Sequence, residues 1–305
     1  MEGRIINLVG GVYKVLLNDG TTISLKARGK LRSVKAFKVN EKSLSTKETL
    51  QTLKNSPKVG DIVKIENDMI SEIMPRKNEL IRPDIANVDQ ILLVFAAKEP
   101  DFSFYLLDLF LVNILKQNIN PIVVITKIDI LSNDELNELK EALSYYETKL
   151  NIKIIYVSSH KNEGLKEVED VLKNKITVLS GQTGAGKSTL INKLIPTFNL
   201  QTQEISYALG RGKHTTRETN LYIYNGGFIG DTPGFSKLDL FSIDSDTLPT
   251  LFTEFNDYHC KFKNCNHSNI LGCGVKEAYN DGLILKSRYE NYLKMLEQIK
   301  NNKRG

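Results

Sequence analysis

Over the first 66 residues, apolar positions fall in short runs rather than at helical spacing. Val12–Leu17 and Thr21–Leu25 are rich in β-forming residues, and Asn18-Asp19-Gly20 between them is a hairpin turn signal. Val59-Gly60-Asp61 then turns into another apolar run, Ile62–Ile65. Between these runs, Ser33–Ser56 is polar and lysine-rich, with no clear period. The pattern predicts a small β-barrel interrupted by one long loop. A segment containing Pro75 and Pro83 links this barrel to the central part of the chain.

From Val88 to about Asp239 the pattern changes. Apolar strand runs at Gln90–Ala96, Pro121–Ile125, Ile152–Val157 and Ile176–Leu179 alternate with helical stripes. Leu106, Leu107, Phe110, Leu111, Ile114 and Leu115 fit one helical face; Leu136, Leu139, Leu143, Tyr146 and Leu150 fit another, behind a capping box of Ser132 and Glu135. Continuous apolar strands alternating with amphipathic helices predict a parallel sheet covered on both faces. Leu221–Tyr224 and Phe228–Ile229, around Asn225-Gly226-Gly227, predict an added antiparallel hairpin. A terminal helix carries Leu285, Tyr289, Tyr292, Leu296 and Ile299 on one face, which reads as packing surface.

Charge sharpens this division. Residues 1–66 carry a net +7, residues 67–256 a net −6 and residues 257–305 a net +4. Basic ends around an acidic middle suit a polyanionic partner, since Lys and Arg that neutralise phosphates release counterions. A solvated, unevenly charged surface explains the same counts. The longest apolar run, Ile91–Ala97, has 7 residues, whereas a membrane helix needs about 20. The N-terminus MEGRIINLVGGVYKV contains no signal-like apolar stretch, so a cytoplasmic protein with no membrane contact is expected. Three cysteines in 305 residues exclude a disulfide scaffold.

The chemistry begins at Gly181-Gln182-Thr183-Gly184-Ala185-Gly186-Lys187-Ser188, which matches G-x-x-x-x-G-K-[ST] between a strand and the helix opening at Thr189. Its glycines let backbone amides converge on phosphate oxygens at a helix N-terminus. Lys187 would reach the β- and γ-phosphates, and the Ser188 hydroxyl would bind Mg²⁺. Asp231-Thr232-Pro233-Gly234 comes after the hairpin; Asp231 can hold Mg²⁺ through water, and the Gly234 amide can sense a γ-phosphate. Thr126-Lys127-Ile128-Asp129 ends another strand, where the Asp129 carboxylate can accept both N1–H and the exocyclic amine of guanine. Ser158-Ser159-His160 ends the next, with backbone amides suited to the guanine O6. Ligands of open α/β sheets bind at such strand ends.

These elements resemble the GTPase signature in a displaced order. T-K-I-D and S-S-H precede the phosphate loop, and D-T-P-G comes last. A sheet tolerates this if the old termini are joined, here through Lys173-Asn174-Lys175, and a new break is made after D-T-P-G. Together with Leu209-Gly210-Arg211-Gly212-Lys213-His214-Thr215-Thr216-Arg217, this order makes the chain resemble the RsgA family of circularly permuted GTPases. Ala27-Arg28-Gly29-Lys30, Val59-Gly60-Asp61 and Asn78-Glu79-Leu80-Ile81-Arg82-Pro83 extend the likeness over nearly the whole length. The resemblance implies an N-terminal OB-fold, late maturation of the 30S subunit, and GTP hydrolysis to GDP stimulated by the ribosome.

Two departures from the family pattern stand out. Thr126 occupies a position where many GTPases have Asn; a hydroxyl there is expected to replace, in part, the amide that serves guanine N7. The stretch Ser33–Ser56 is longer than the usual loop, and its lysines either add RNA contacts or form a solvated excursion.

Cys260, Cys265, His267 and Cys273 form C-x₄-C-x-H-x₅-C, a closed four-ligand set suited to one structural Zn²⁺. Phe235 comes directly after D-T-P-G, where Ras-type enzymes place a water-orienting Gln, which implies slow intrinsic turnover. His214 lies in switch I beside Thr215 and Thr216, one of which should reach Mg²⁺. His214 would either orient water or contact RNA and stabilise its loop.

The expected architecture is a multidomain α/β chain. Residues 1–70 form an OB-like RNA-binding barrel, 71–240 a permuted P-loop GTPase domain, and 241–305 a zinc-binding helical module. A monomer acting on the 30S subunit and its 16S rRNA is expected. The rivals are a noncatalytic GTP-dependent RNA-binding assembly factor and a permuted GTPase acting on the large subunit.

Overall fold

The computed structural model describes residues 1–31, 56–80, 84–196, 219–231, 240, 243–268 and 270–302. The strands are β1 (Glu2–Val9), β2 (Val12–Leu17), β3 (Thr22–Ala27), β4 (Ile62–Glu66), β5 (Met69–Ile73), β6 (Glu79–Leu80), β7 (Ile85–Ala86), β8 (Gln90–Ala96), β9 (Asn120–Thr126), β10 (Lys153–Tyr156), β11 (Ile176–Gly181), β12 (Asn220–Tyr224) and β13 (Gly227–Asp231). The α-helices are α1 (Phe104–Leu115), α2 (Asn133–Thr148), α3 (Leu165–Leu172), α4 (Lys187–Leu194), α5 (Gly274–Asn280) and α6 (Lys286–Asn302). Two compact units emerge: Met1–Asp89 with Leu172–Val178 and Leu209–Gly234, and Gln90–Val171 with Leu179–Ala208 and Phe235–Gly305.

In the first unit, β1 to β5 close on themselves. β1 pairs antiparallel with β2, β2 with β3 and β4 with β5, while β3 runs parallel to β5 and β4 returns antiparallel to β1. This closed five-stranded order is that of an OB-like barrel. Sequence alternation predicted β2, β3 and β4 but not β1. Ile5 and Ile6 are both buried because the β1–β2 register slips between Ile5 and Asn7, and a bulge breaks the period of two.

The β6–β7 hairpin lies against the barrel. Gly60 has φ +93°, and a Cβ there would meet the Ala86 carbonyl oxygen at 2.0 Å, so only glycine fits. Beside it, the buried Asp61 carboxylate accepts two bonds from Arg76, both at 2.8 Å, and one from the Lys58 amide at 2.7 Å. The same unit holds the antiparallel hairpin β12–β13, and β13 runs parallel to the first residues of β11. Barrel strand β1 pairs antiparallel with β12 at Asn7↔Asn220, and the two Asn side chains are hydrogen-bonded.

In the second unit, β8, β9 and β10 form a parallel array, with Ile91 opposite Pro121 and Ile154 opposite Val123. All seven residues of β8 are buried, as a strand covered on both faces requires. The capping box of α2 forms as the sequence predicts, with Ser132 N–H to Glu135 at 2.8 Å and Glu135 N–H to Ser132 Oγ at 3.2 Å.

The C-terminal segment has little regular structure apart from α5 and α6. Phe252, Phe255, Tyr289, Tyr292 and Met295 build its core together with Val112 of α1. Within that core lies the fully buried Arg288, on the apolar stripe of α6. Its guanidinium donates to Asp108 of α1 at 2.7 Å and to Glu254 at 2.7 and 3.2 Å. Asp108 also accepts from Tyr146 of α2 at 2.8 Å and from Asn291 at 2.7 Å. Three donors converge on a carboxyl that burial raises and the guanidinium lowers. Among the described residues, no helix is long and apolar enough to cross a membrane.

Removing one partner of a buried ion pair leaves an uncompensated charge, at a cost of about 3–5 kcal/mol. Arg288→Ala should therefore lower the denaturant midpoint strongly, and Arg288→Lys should recover little, because an ammonium cannot serve two carboxylates in fork geometry. A wild-type midpoint for Arg288→Ala, measured by urea unfolding, would contradict this account.

Candidate functional site

The phosphate loop is shaped by a steric demand. β11 ends at Gly181 with φ +125°, and a Cβ there would lie 2.1 Å from the Val94 carbonyl oxygen of β8. The loop then turns through Gly184 at φ +79° and Gly186 at φ +81°, both in the left-handed region that favours glycine. Gly186 caps α4, whose first residues are Lys187 and the exposed Ser188 and Thr189. The loop places backbone amides at the positive end of a helix dipole.

Lys187 is half-buried and faces carbonyls rather than a carboxylate. Its ammonium donates to Gly181 O at 3.0 Å and Gln182 O at 2.6 Å, and burial lowers its pKa. A cation held this way gains from an incoming polyphosphate. Gln182 is fastened separately, by its side-chain amide to Asp101 O at 2.9 Å. Gly184 packs against Pro100, with 3.5 Å between its would-be Cβ and the ring Cδ. The 97–103 segment after β8 thus braces the phosphate loop. Sequence reasoning missed this role, and the only signal for it was a polar turn at the end of an apolar strand.

The T-K-I-D and S-S-H elements lie in the same unit, at the ends of β9 and β10. Lys127 takes a left-handed φ of 58° and donates to the Glu99 carbonyl. The chain then tightens into one 3₁₀ turn, Ile128–Ile130, which carries the half-buried Asp129. A hydrogen bond from the Ser158 side chain holds the Asp129 carboxyl below the usual carboxylate range, helped by His160 and Lys161 nearby. Asp129 Oδ1 is buried and has no partner. Leaving a buried acceptor unmet costs about 1–3 kcal/mol, and a ligand with two adjacent donors would remove that cost.

Two sequence expectations change in detail. The backbone amides of Ser158-Ser159-His160 were expected to suit guanine O6; that of Ser158 donates instead to Glu163 O at 3.1 Å in a bridge that closes its loop. The contribution of Ser158 is its hydroxyl, while Ser159 is half-buried beside it. The Thr126 hydroxyl was expected to face guanine N7; it instead bonds Ala185 O at 2.5 Å and Phe95 O at 3.1 Å. His214, Thr215, Thr216 and Gly234, the 209–217 run and residues 33–55 and 81–83 lie outside the described residues, as does the side chain of Asp231.

The second cluster is Cys260, Cys265, His267 and Cys273, whose ligand atoms all lie within 4.8 Å of one another. Cys260 Sγ is 3.8 Å from Cys273 Sγ, and His267 Nδ1 is 3.5 and 3.6 Å from these two sulfurs. A tetrahedron with Zn–S of about 2.3 Å and Zn–N of about 2.0 Å has edges of about 3.8 and 3.5 Å. The donors fit a zinc ion. They do not fit disulfides, whose sulfurs sit about 2.0 Å apart. Burial lowers the His267 pKa, which favours the neutral imidazole that ligation needs. The ring packs against Phe255 and Tyr292, and the His267 carbonyl accepts from Tyr289 at 2.6 Å. Gly274 is needed because a Cβ would meet the His259 carbonyl oxygen at 2.2 Å.

A family model described as RsgA GTPase matches residues 73–241. The protein "Small ribosomal subunit biogenesis GTPase RsgA" of Phytoplasma australiense is 43% identical over 310 aligned residues, spanning 99% of this chain and 98% of its own. Among solved structures, YjeQ from Thermotoga maritima superposes with a TM-score of 0.80 at 33% identity, covering 98% of each chain. YloQ, described as a circularly permuted GTPase, gives a TM-score of 0.78 at 33% identity, with 99% of this chain and 95% of that one covered.

Both clusters yield a direct test. Asp129→Asn should weaken binding of GTP and favour xanthosine nucleotides, whose C2 carbonyl suits an amide donor; equal wild-type affinity for ATP and GTP in a titration would refute the base assignment. For the metal cluster, elemental analysis should find about one zinc per chain. Cys265→Ser should destabilise the C-terminal segment while leaving GTP affinity nearly unchanged, and a fully folded metal-free protein would remove the zinc reading.

Proposed function

The chain belongs to the RsgA GTPase family, and on that premise we propose that it hydrolyses GTP to GDP and phosphate in biogenesis of the small ribosomal subunit. The observation that carries the reading is one compact unit that presents a phosphate loop built on three positive-φ glycines and, in the turn after β9, an unpartnered Asp129 oxygen. Loop amides from Gly181 to Thr189 would cradle the phosphates, and Lys187 would leave its loop carbonyls for the β–γ bridge. Lys127, Ile128, Asp129, Ser158 and Ser159 would form the guanine end, with Thr126 behind them bonded to the phosphate loop at Ala185 O.

Ser188, one of Thr215 and Thr216, and Asp231 would hold Mg²⁺. That ion would neutralise charge growing on the β- and γ-phosphate oxygens. Zn²⁺ would act only as a closed structural clamp in the 241–305 module. His214 is proposed to orient the attacking water, a role Phe235 cannot fill, and Gly234 to sense the γ-phosphate. Functionally, residues 1–70 and 241–305 would carry the basic surfaces that contact 16S rRNA, and 71–240 the nucleotide cycle of a cytoplasmic monomer.

Coupling between nucleotide and partner has a physical route. β12 lies between the 209–217 run and Asp231, and it pairs with barrel strand β1. A switch ordered by the γ-phosphate would thus pull on a strand that the barrel shares. Reciprocity requires small subunits to raise the affinity for a GTP analogue by the factor that the analogue raises theirs.

Multiple-turnover hydrolysis with purified 30S or 50S subunits tests the reading. Stimulation by 30S alone is expected, and its absence, or stimulation by 50S, would favour the noncatalytic or large-subunit reading. His214→Ala should keep GTP and 30S binding but lose most of the stimulated rate. If that variant turns over on 30S at the wild-type rate, His214 is not catalytic.

A further inference from the structure

Thr126 is 2% exposed, and its hydroxyl carries a single proton. The oxygens of Ala185 at 2.5 Å and Phe95 at 3.1 Å compete for that proton. Both are carbonyls, so the hydroxyl can only donate to them. What remains on Oγ1 is lone pairs, and guanine N7 is also an acceptor. Two acceptors without a proton between them do not bond.

We propose that this protein reads guanine through its N1 and exocyclic-amine edge while the Thr126 hydroxyl leaves N7 unread, and that Thr126 is a positioning residue of the phosphate loop. The proposal rests on the GTPase reading above. Its structural basis is the strut from β9 to Ala185, a residue with no exposed surface. In a trans peptide the C=O and the following N–H point in opposite directions. A bond that fixes the Ala185 carbonyl toward Thr126 therefore fixes the Gly186 amide away from it, in a loop whose amides bind phosphate. Gly186 itself packs at Thr126, with its would-be Cβ 3.8 Å from Oγ1. The hydroxyl lost to the base is thus used to aim a phosphate-binding donor. Asp129, with its unpartnered Oδ1, remains to discriminate the base.

The test measures dissociation constants of full-length protein for GDP, 7-deaza-GDP and IDP by calorimetry. IDP lacks the exocyclic amine, and 7-deaza-GDP lacks only the N7 acceptor. For wild type, 7-deaza-GDP should bind within about twofold of GDP, whereas IDP should bind at least about tenfold more weakly. Thr126→Val should weaken GDP and 7-deaza-GDP by the same factor, about tenfold, and Thr126→Ser should restore both. The proposal is overturned if wild type loses tenfold or more with 7-deaza-GDP, or if Thr126→Val weakens GDP but not 7-deaza-GDP. If Thr126→Val does not fold, the wild-type and Thr126→Ser comparisons still decide. A protein that binds ATP as well as GDP would instead refute the guanine reading itself, which separates the two failures.

Discussion

A guanidinium with no exposed surface dictates much of the second unit. Arg288 leaves water only because Asp108 and Glu254 meet it at 2.7 Å, while Phe252 offers its ring face 4.1 Å from the guanidinium carbon. Desolvating such a charge is expensive unless every donor finds a partner. α1, α6 and the turn at Thr253–Asp257 must therefore keep one arrangement. The Cys₃His cluster and Arg288 would have complementary tasks. The cluster would tie a loop with little regular structure to itself, and Arg288 ties the segment to the helix that comes after β8.

Backbone proximity governs the nucleotide end in a similar way. Gly181 lies against Val94 where a methyl group would collide, and Thr126 reaches the loop carbonyl of Ala185. These contacts make the ends of β8, β9 and β11 parts of one object. Phosphate binding and base reading would then share a frame, and rotating one loop would break the Thr126–Ala185 hydrogen bond to the other. Lys187 and Asp129 are both left short of ideal partners, the first facing only carbonyls and the second with a bare oxygen. Both deficits are ones that a guanine nucleotide would remove.

In the other unit, the barrel is not an isolated appendage. Its first strand is hydrogen-bonded to β12 through Asn7 and Asn220, and Arg4 stacks over the Phe228 ring of β13 while donating to Gly60 O at 2.8 Å. The hairpin that leads into Asp231 is thus built partly on barrel residues. Displacement in one strand of a sheet has to be absorbed by its neighbour, because buried backbone groups cannot stay unpaired.

Features that depend on local spacing were legible before any fold was known. The strand–loop–helix context of Gly181–Ser188, the capping box at Ser132, the buried run Gln90–Ala96 and the C-x₄-C-x-H-x₅-C set are each encoded by neighbours within a few residues. The permuted order of the guanine motifs was legible for the same reason. Features that depend on distant partners emerged with the packed chain alone. The pairing of Asp108 with Arg288 spans 180 residues, and the bond from Thr126 to Ala185 spans 59. On the helical wheel, Arg288 and Asp108 are only charged residues intruding on apolar stripes. In the sequence, Thr126 is only a substitute for Asn; which acceptor receives its proton depends on where the chain returns after β11. Local periodicity records which face is buried, but the identity of the group across that face is set by the packing of the whole chain.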